Sequence, residues 1–242
     1  MKEYAPAGHR RLVEEIFSTI HHRYDLLNHV LSLGLDIYWR KFAISKLKPS
    51  QRGTILDLAC GTGDMAIEAC HRYPYISVLG VDFSPEMLEV AQKKILEKGL
   101  FSRIHLLRGD ALKLPFSDNV FDMATVAFGI RNISPTSLAL KELVRVCRPG
   151  AKVLILEMHD PSKRAMRLFF RLYARTILPL GARLASNNAA AYEYLVNSII
   201  QFPPPMEFKI LMKRAGLTQI QQFSLFPGIT YLHCGVKSGG PV

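Results

Sequence analysis

From Thr54 onward, short β-type runs alternate with helix-periodic segments, which restricts the chain to a mostly parallel sheet with helices on its faces. "TILDLA" is expected as the first strand and "MAIEACHRY" as the first helix. "SVLGVD" follows as the second strand. The next helix, "SPEMLEVAQKKILEKG", has Ser84 as its cap, Pro85 at its first position and Gly99 as its stop. "RIHLLRGD" and "FDMATVAFG" are the third and fourth strands, the helix "SLALKELVRVC" is expected to end at "RPG", and "KVLILEM" is the fifth strand. Toward the C-terminus "FKILMKRAG" reads as a helix, and "LTQIQQFSLF" and "ITYLHCGVK" as a strand pair turned at "PG". A terminal antiparallel hairpin departs from the dinucleotide-binding pattern.

The turn "LDLACGTGD" decides what such a sheet can hold. With Ala66 it fits the relaxed G-x-G-x-x-A fingerprint, and Asp82 follows Gly63 by about 20 positions, so NAD is the first candidate. The carboxylates argue otherwise. Asp57 sits where the strand opens into the loop and Asp64 where the helix should begin, where a dinucleotide needs to seat its pyrophosphate. A carboxylate about 4 Å from a phosphate charge repels it by roughly 4 kcal/mol at an effective dielectric near 20. S-adenosylmethionine has no phosphate and carries a sulfonium and an ammonium group, so the same residues favour it. Together with the terminal hairpin this predicts an α/β, Rossmann-like S-adenosylmethionine-dependent methyltransferase fold: a mostly parallel seven-stranded sheet with a helical cap and lid. Asp82 is then expected to accept the ribose hydroxyls and Asp110, with Ala111 beside it, to meet the adenine. Gly61 and Gly63 let the backbone approach the ligand, Thr62 faces the methionine carboxylate, and Asp57 and Ala127 complete the cofactor set.

Length and composition fit one globular domain: 242 residues, of which 49% are hydrophobic and 21% charged. The expected division is an N-terminal helical cap over 1–50, a cofactor-binding core over 51–160, a helical insertion over 161–204, and a C-terminal helix and hairpin over 205–242. No apolar run is long enough to span a bilayer, and "MKEYAPAGHRR" lacks a signal-peptide core. Cys60, Cys70, Cys147 and Cys234 lack zinc-type spacing and read as reduced thiols of a cytoplasmic protein; no metal site is expected.

The chain resembles the ubiquinone/menaquinone biosynthesis C-methyltransferases from about Ile16 onward. The matching stretches are "YDLLNHVLSLGLDIYW", "LDLACGTGD", "ALKLPFSDNVFD", "AFGIRN", "RVCRPGAKVLILE" and "NNAAAYEYLVNSI". The family usually has His where Asp36 stands, and a cofactor-contacting Ser where Ala127 stands. The resemblance implies methyl transfer to a ring carbon of a polyprenylated quinol, in menaquinone or ubiquinone biosynthesis. A quinol carbon is nucleophilic once a ring hydroxyl is at least partly ionised. Arg131 is the candidate to stabilise that phenolate, with Asn132 hydrogen-bonding the second oxygen. Asp25, His29 and a bound water are unranked as proton acceptor, and Tyr24, Asn28, Tyr192 and Tyr194 are candidates for ring contact.

The net charge of +11 raises the question of an anionic partner. Lys163, Arg167, Arg171 and Arg175 recur every four residues beside Met166, Phe169, Phe170, Tyr173 and Ile177, a pattern that suits peripheral contact with an anionic membrane, at its inner face, or a lid helix with a solvated basic side. A homo-oligomer or a quinone-biosynthesis complex is compatible with the chain. An RNA or DNA methyltransferase is the first rival, but an N-methylating enzyme would carry Asn/Asp-Pro-Pro-aromatic where "AFGIRN" stands, and no cysteine nucleophile follows that strand. Nucleic acid is therefore not expected as a partner. The second rival, a non-catalytic binding module, is disfavoured because Asp57, Gly61, Gly63 and Asp82 are all in place.

Overall fold

A computed structural model describes Val13, Asp25, Asn28, His29 and residues 32–49, 52–161 and 189–239, with backbone alone at 189–193. Helix α1 (Leu35–Ser45) precedes the alternating core: β1 (Gly53–Leu58), α2 (Asp64–Arg72), β2 (Ile76–Asp82), α3 (Pro85–Glu97), β3 (Ile104–Arg108), β4 (Phe121–Ala127), α4 (Thr136–Val146) and β5 (Cys147–Met158). Helices α5 (Ala189–Gln201) and α6 (Pro205–Arg214) lead into β6 (Leu217–Leu225) and β7 (Thr230–Lys237). The seven strands lie in the order β3-β2-β1-β4-β5-β7-β6. The first five are parallel, and β7 enters antiparallel between β5 and β6. The winding direction reverses between β1 and β4, which pair through Asp57 and Thr125, so the ligand crevice belongs at their carboxyl ends.

Local chemistry sets the boundaries. Ser84 caps α3 by accepting a hydrogen bond from the Met87 amide at 3.3 Å, with Pro85 next, and Gly99 leaves the helix at φ +66°. The expected break at "RPG" is corrected: α4 stops at Val146, and β5 starts at once at Cys147, opposite Phe121. Residues 148–151 bulge opposite Asp122 before pairing resumes at Lys152 and Met123. Pro149 has no N–H to give the ladder and Gly150 takes φ +81°, so these residues kink the strand rather than end it.

Side chains alternate across each strand, so the sheet has a core on both faces. Leu56, Leu58, Val126 and Ile155 pack with Leu140 and Leu143 of α4 and Phe208 and Met212 of α6. Ile55, Val78 and Leu154 pack on the other face with Trp39 and Ile44 of α1, Ile67 of α2 and Ala91 and Ile95 of α3. The Trp39 indole N–H donates to the Phe226 carbonyl at 2.9 Å, tying α1 to the terminal hairpin.

Beyond β5 lies a fully buried imidazole pair. The nitrogens allow one neutral arrangement. Gln222 donates to His233 Nδ1 at 2.9 Å, His233 Nε2 donates to His159 Nε2 at 2.8 Å, and His159 Nδ1 donates to the Pro203 carbonyl at 2.8 Å. Burial pushes His159 from the usual 6.5 down to about 4 and His233 to about 3. The unfolded chain therefore binds more protons in this window. The pair's stabilising effect is complete above about pH 6.5 and is lost as pH falls toward 4 and then 3. Urea midpoints measured from about pH 7 down to about pH 5 should fall in the parent and fall less in His233→Gln; parallel curves would contradict this.

Candidate active site

The crevice forms where β1 gives way to its loop. Gly61 and Gly63 take φ +53° and +81°, and Gly63 starts α2 at its N-cap position. A Cβ on Gly63 would stand 3.3 Å from the Ala91 Cβ, so this glycine also lets α3 pack against the loop. Gly129 of "AFGIRN" lies against the same turn, since a Cβ there would come within 2.6 Å of the Ala59 Cβ. Ala59 and Phe128, which leave β1 and β4, hold φ +53° and +57°. Left-handed backbone in non-glycine residues is costly and concentrates at functional clefts.

Asp57 and Asp82 are buried, 1% and 6% exposed, beneath this loop. Asp57 Oδ1 accepts from the Thr125 hydroxyl at 2.8 Å, while Oδ2 makes no hydrogen bond of normal geometry among the described residues. Burial, opposed by the Thr125 bond and aided by the Asp82 charge, pushes its carboxyl up to about 7. Asp82 closes β2. Its Oδ2 accepts from the Gly61 amide at 2.7 Å and its Oδ1 from the Ser84 amide at 3.0 Å. Burial raises its pKa, against these two backbone bonds. The Ser84 bond is a local turn contact, whereas the Gly61 bond fixes the carboxylate against the glycine loop. Asp110 lies two residues beyond β3, where its Oδ1 accepts from the Leu112 amide at 2.9 Å; half-buried Ala111 packs on the core edge.

The sequence reading of Asp64 needs correction. It stands at the start of α2 as expected, but it is paired with Lys94 of α3 and with Arg40 of α1, the latter at 3.8 Å. Its charge is compensated, so the exclusion of a phosphate rests on Asp57 and Asp82. The sequence reading missed Arg40 and Lys94. Arg40 is 8% exposed and lines a small cleft with Asp57, Gly61, Thr62, Asp64 and Ala127. Its i,i+4 spacing from Asp36, with which it pairs, is the one signal the sequence offered.

The candidate proton acceptors separate clearly. Asp25 sits on the glycine loop: Oδ1 accepts from the Thr62 hydroxyl at 2.6 Å and Oδ2 pairs with Lys94 at 2.6 Å. His29, itself in helical conformation, places Nδ1 2.8 Å from Asp36 Oδ2. Half-buried Asn28 accepts a backbone bond from Ser32 at 2.9 Å.

Arg131, in the short helical turn after β4, has a side chain only 6% exposed. Its Nη1 pairs with Glu157, which is fully buried, and donates to the Phe128 carbonyl at 2.8 Å; Nε donates to Ser198 at 3.3 Å. Nη2 makes no hydrogen bond among the described residues. Glu157, also missed in the sequence, accepts the Arg131 and Met158 amides at 3.2 and 2.8 Å. The Asn132 side-chain oxygen accepts from the Tyr194 hydroxyl at 3.0 Å, leaving the Asn132 amide nitrogen as a donor. Tyr24 and the Tyr192 side chain lie outside the described residues, as do Lys163, Arg167, Arg171 and Arg175. The crevice thus joins two acids beneath a glycine loop, a compensated cation cluster at the loop's far side, and an arginine–amide pair after β4. A ligand with a diol and a cationic centre fits the acids, including the unpartnered Asp57 oxygen, and a carboxylate fits Arg40 and Thr62.

Residues 5–237 match the model of the ubiE/COQ5 methyltransferase family. "Ubiquinone/menaquinone biosynthesis C-methyltransferase UbiE" of Geotalea daltonii is 41% identical over 93% of this chain and 96% of its own length. The "Demethylmenaquinone methyltransferase" of Thermus thermophilus is 42% identical over 91% of this chain and 99% of its own. Among solved structures, a SAM-dependent methyltransferase of Thermotoga maritima, titled a possible histamine N-methyltransferase, superposes with a TM-score of 0.66 at 20% identity, covering 93% of this chain and 99% of its own. A putative S-adenosyl-L-methionine-dependent methyltransferase of Methanococcus maripaludis gives 0.63 at 18% identity, covering 100% and 99%. These structures share the Rossmann-like methyltransferase fold with this chain.

Proposed function

The chain belongs to the ubiE/COQ5 methyltransferase family, and we propose that its strand-end crevice methylates a polyprenyl quinol held against Arg131 and Asn132. It is an S-adenosylmethionine-dependent C-methyltransferase of quinone biosynthesis. Demethylmenaquinol is the substrate we place first, following relatives named for that activity. The observation that carries the reading is the Asp82 carboxylate, buried at the end of β2 and held against the Gly61 amide.

Bound S-adenosylmethionine supplies an electrophilic methyl group. The residues do the rest. Asp82 accepts the ribose diol, Asp110 and Ala111 border the adenine, and Asp57 places negative potential beneath the loop. Gly61 and Gly63 hold the loop open to the ligand. The Thr62 backbone amide and Arg40 take the methionine carboxylate, the Thr62 hydroxyl being given to Asp25, with Ala127 at the floor. On the acceptor side, Arg131 Nη2 and the Asn132 amide each donate to a quinol oxygen, and the developing phenolate is stabilised by donors already fixed in place. Asn28 and Tyr194 border the ring, and the sequence adds Tyr24 and Tyr192 as candidates for ring contact. Quinone profiling by mass spectrometry of a quinone-methyltransferase deletion strain tests this: expression of the chain should convert accumulated demethylated quinone to the methylated form, and an unchanged profile would overturn it.

Among the described residues no helix is long and apolar enough to cross a membrane. We propose cytoplasmic enzyme bound peripherally to the inner membrane face through the Lys163–Arg175 stripe, where a prenylated substrate resides, alone, as a homo-oligomer or in a quinone-biosynthesis complex. Each basic residue near an anionic surface contributes about 1 kcal/mol. Arg167, Arg171 and Arg175 changed together to Gln should lower partitioning onto anionic vesicles by about two orders of magnitude at low salt. Equal cosedimentation of parent and variant would remove the membrane role.

A further inference from the structure

We propose that His29 is the proton acceptor of the reaction and that Asp36 is its positioning residue. The inference rests on the reading of the crevice as a quinol methylation site. Asp25 and His29 are both helical and stand four residues apart, the spacing that puts two side chains on one helix face. Asp25 is seated on the glycine loop through Thr62 at 2.6 Å, so this face is turned toward the cofactor end of the sheet. Asp25 itself is occupied by Lys94 and Thr62, and a carboxylate holding a cation and a hydroxyl is a poor base.

His29 has the opposite arrangement. Its Nδ1 meets a carboxylate, while its side chain stays 39% exposed and Nε2 makes no hydrogen bond among the described residues. Asp36 is 3% exposed in its side chain, accepts the Ser32 hydroxyl at 2.7 Å and pairs with Arg40. Burial raises the Asp36 carboxyl, but the His29 and Ser32 bonds and the Arg40 charge outweigh it and hold it below the usual carboxylate range. An ionised Asp36 keeps the proton on Nδ1 and leaves Nε2 as an acceptor. Asp36 is the charge facing the imidazole directly; Arg40 stands behind it, Asp25 one turn away, and Lys94 and Asp64 beyond Asp25. The dyad also connects to the cleft, because Arg40 lines it.

In the step proposed, the quinol O–H bond breaks and its proton passes to His29 Nε2. Its electron pair is delocalised to the ring carbon, which forms the new bond to the methyl carbon as the methyl–sulfur bond breaks and that bond's electron pair leaves with S-adenosylhomocysteine. The proton on that ring carbon then leaves to solvent, and His29 returns its proton to the quinol oxygen. One proton is released per methyl transferred.

His29→Gln keeps an amide donor for Asp36 but cannot take up the proton. It should lower kcat by about 10²–10⁴, and the acid limb of the kcat–pH profile should vanish. S-adenosylhomocysteine affinity by calorimetry should be unchanged. In Asp36→Asn, kcat and its pH profile should change while S-adenosylhomocysteine affinity stays at the parent value, a split that a merely structural role for Asp36 would not give. Parent-like turnover and pH profile in His29→Gln would overturn the proposal and leave the dyad as a tie between helical segments. If the parent protein transfers no methyl to quinol, the functional reading fails instead, so the two failures are distinguishable.

Discussion

Arg131→Ala should lower folding stability by about 3–5 kcal/mol, because it strands the Glu157 carboxylate in the core. Glu157 is 0% exposed, and once Arg131 is truncated the Arg131 and Met158 amides are the remaining donors to it. The truncation also orphans the Phe128 carbonyl, a partner of the guanidinium at 2.8 Å, while Ser198 keeps its hydrogen bond to the Leu195 carbonyl at 2.9 Å. An arginine that merely decorated the surface would cost about 0.5 kcal/mol at most. Equilibrium unfolding in urea separates these outcomes. Changing Arg131 and Glu157 together to Gln separates stability from chemistry, since two neutral amides can satisfy each other. This double variant should recover most of the lost stability while kcat stays roughly 10²–10³ below the parent, the range for losing one donor to a developing oxyanion. Recovery of turnover along with stability would reduce Arg131 to a packing element.

Asp82→Ala should weaken S-adenosylmethionine binding at least tenfold, since a charged acceptor for two hydroxyls is worth about 1.5–3 kcal/mol. The variant also frees the Gly61 amide from its 2.7 Å bond, so the loop loses its anchor along with the ligand its acceptor. Asp82→Asn keeps an acceptor for Gly61 without the charge, and should lie between the two. Calorimetry reads the affinities directly. A folded Asp82→Ala protein that binds the cofactor as tightly as the parent would remove the assignment, and NADH should bind none of the three.

The order of elements was legible because each β-type run and helical period is local. The Ser84-Pro85 start and Gly99 stop of α3 are written within one helix length. The strand bulge at 148–151 was not, because Pro149 and Gly150 signal a break equally well in a loop or in a kinked strand. Nor does local pattern state that β7 enters between β5 and β6, which is settled by long-range pairing. The site divides in the same way. Asp57, Gly61 and Gly63 lie within one short stretch of sequence, the end of β1 and the loop after it, and stand out there. Arg131 was legible, but the buried Glu157 that neutralises it lies a strand and a helix further on. Asp64 looked like a free negative charge because Lys94 and Arg40 reach it from helices on either side in sequence.

The central claim is that methyl groups leave S-adenosylmethionine in this crevice for a quinol ring. Tritium in the methyl group of S-adenosylmethionine, followed with purified parent protein and with Asp82→Ala, tests it most directly when membrane lipid extract and bulk RNA are offered in parallel. The account predicts label in the quinone fraction of the lipid extract, little in RNA, and a sharp loss in the variant. Label accumulating in RNA, or in neither, would contradict it.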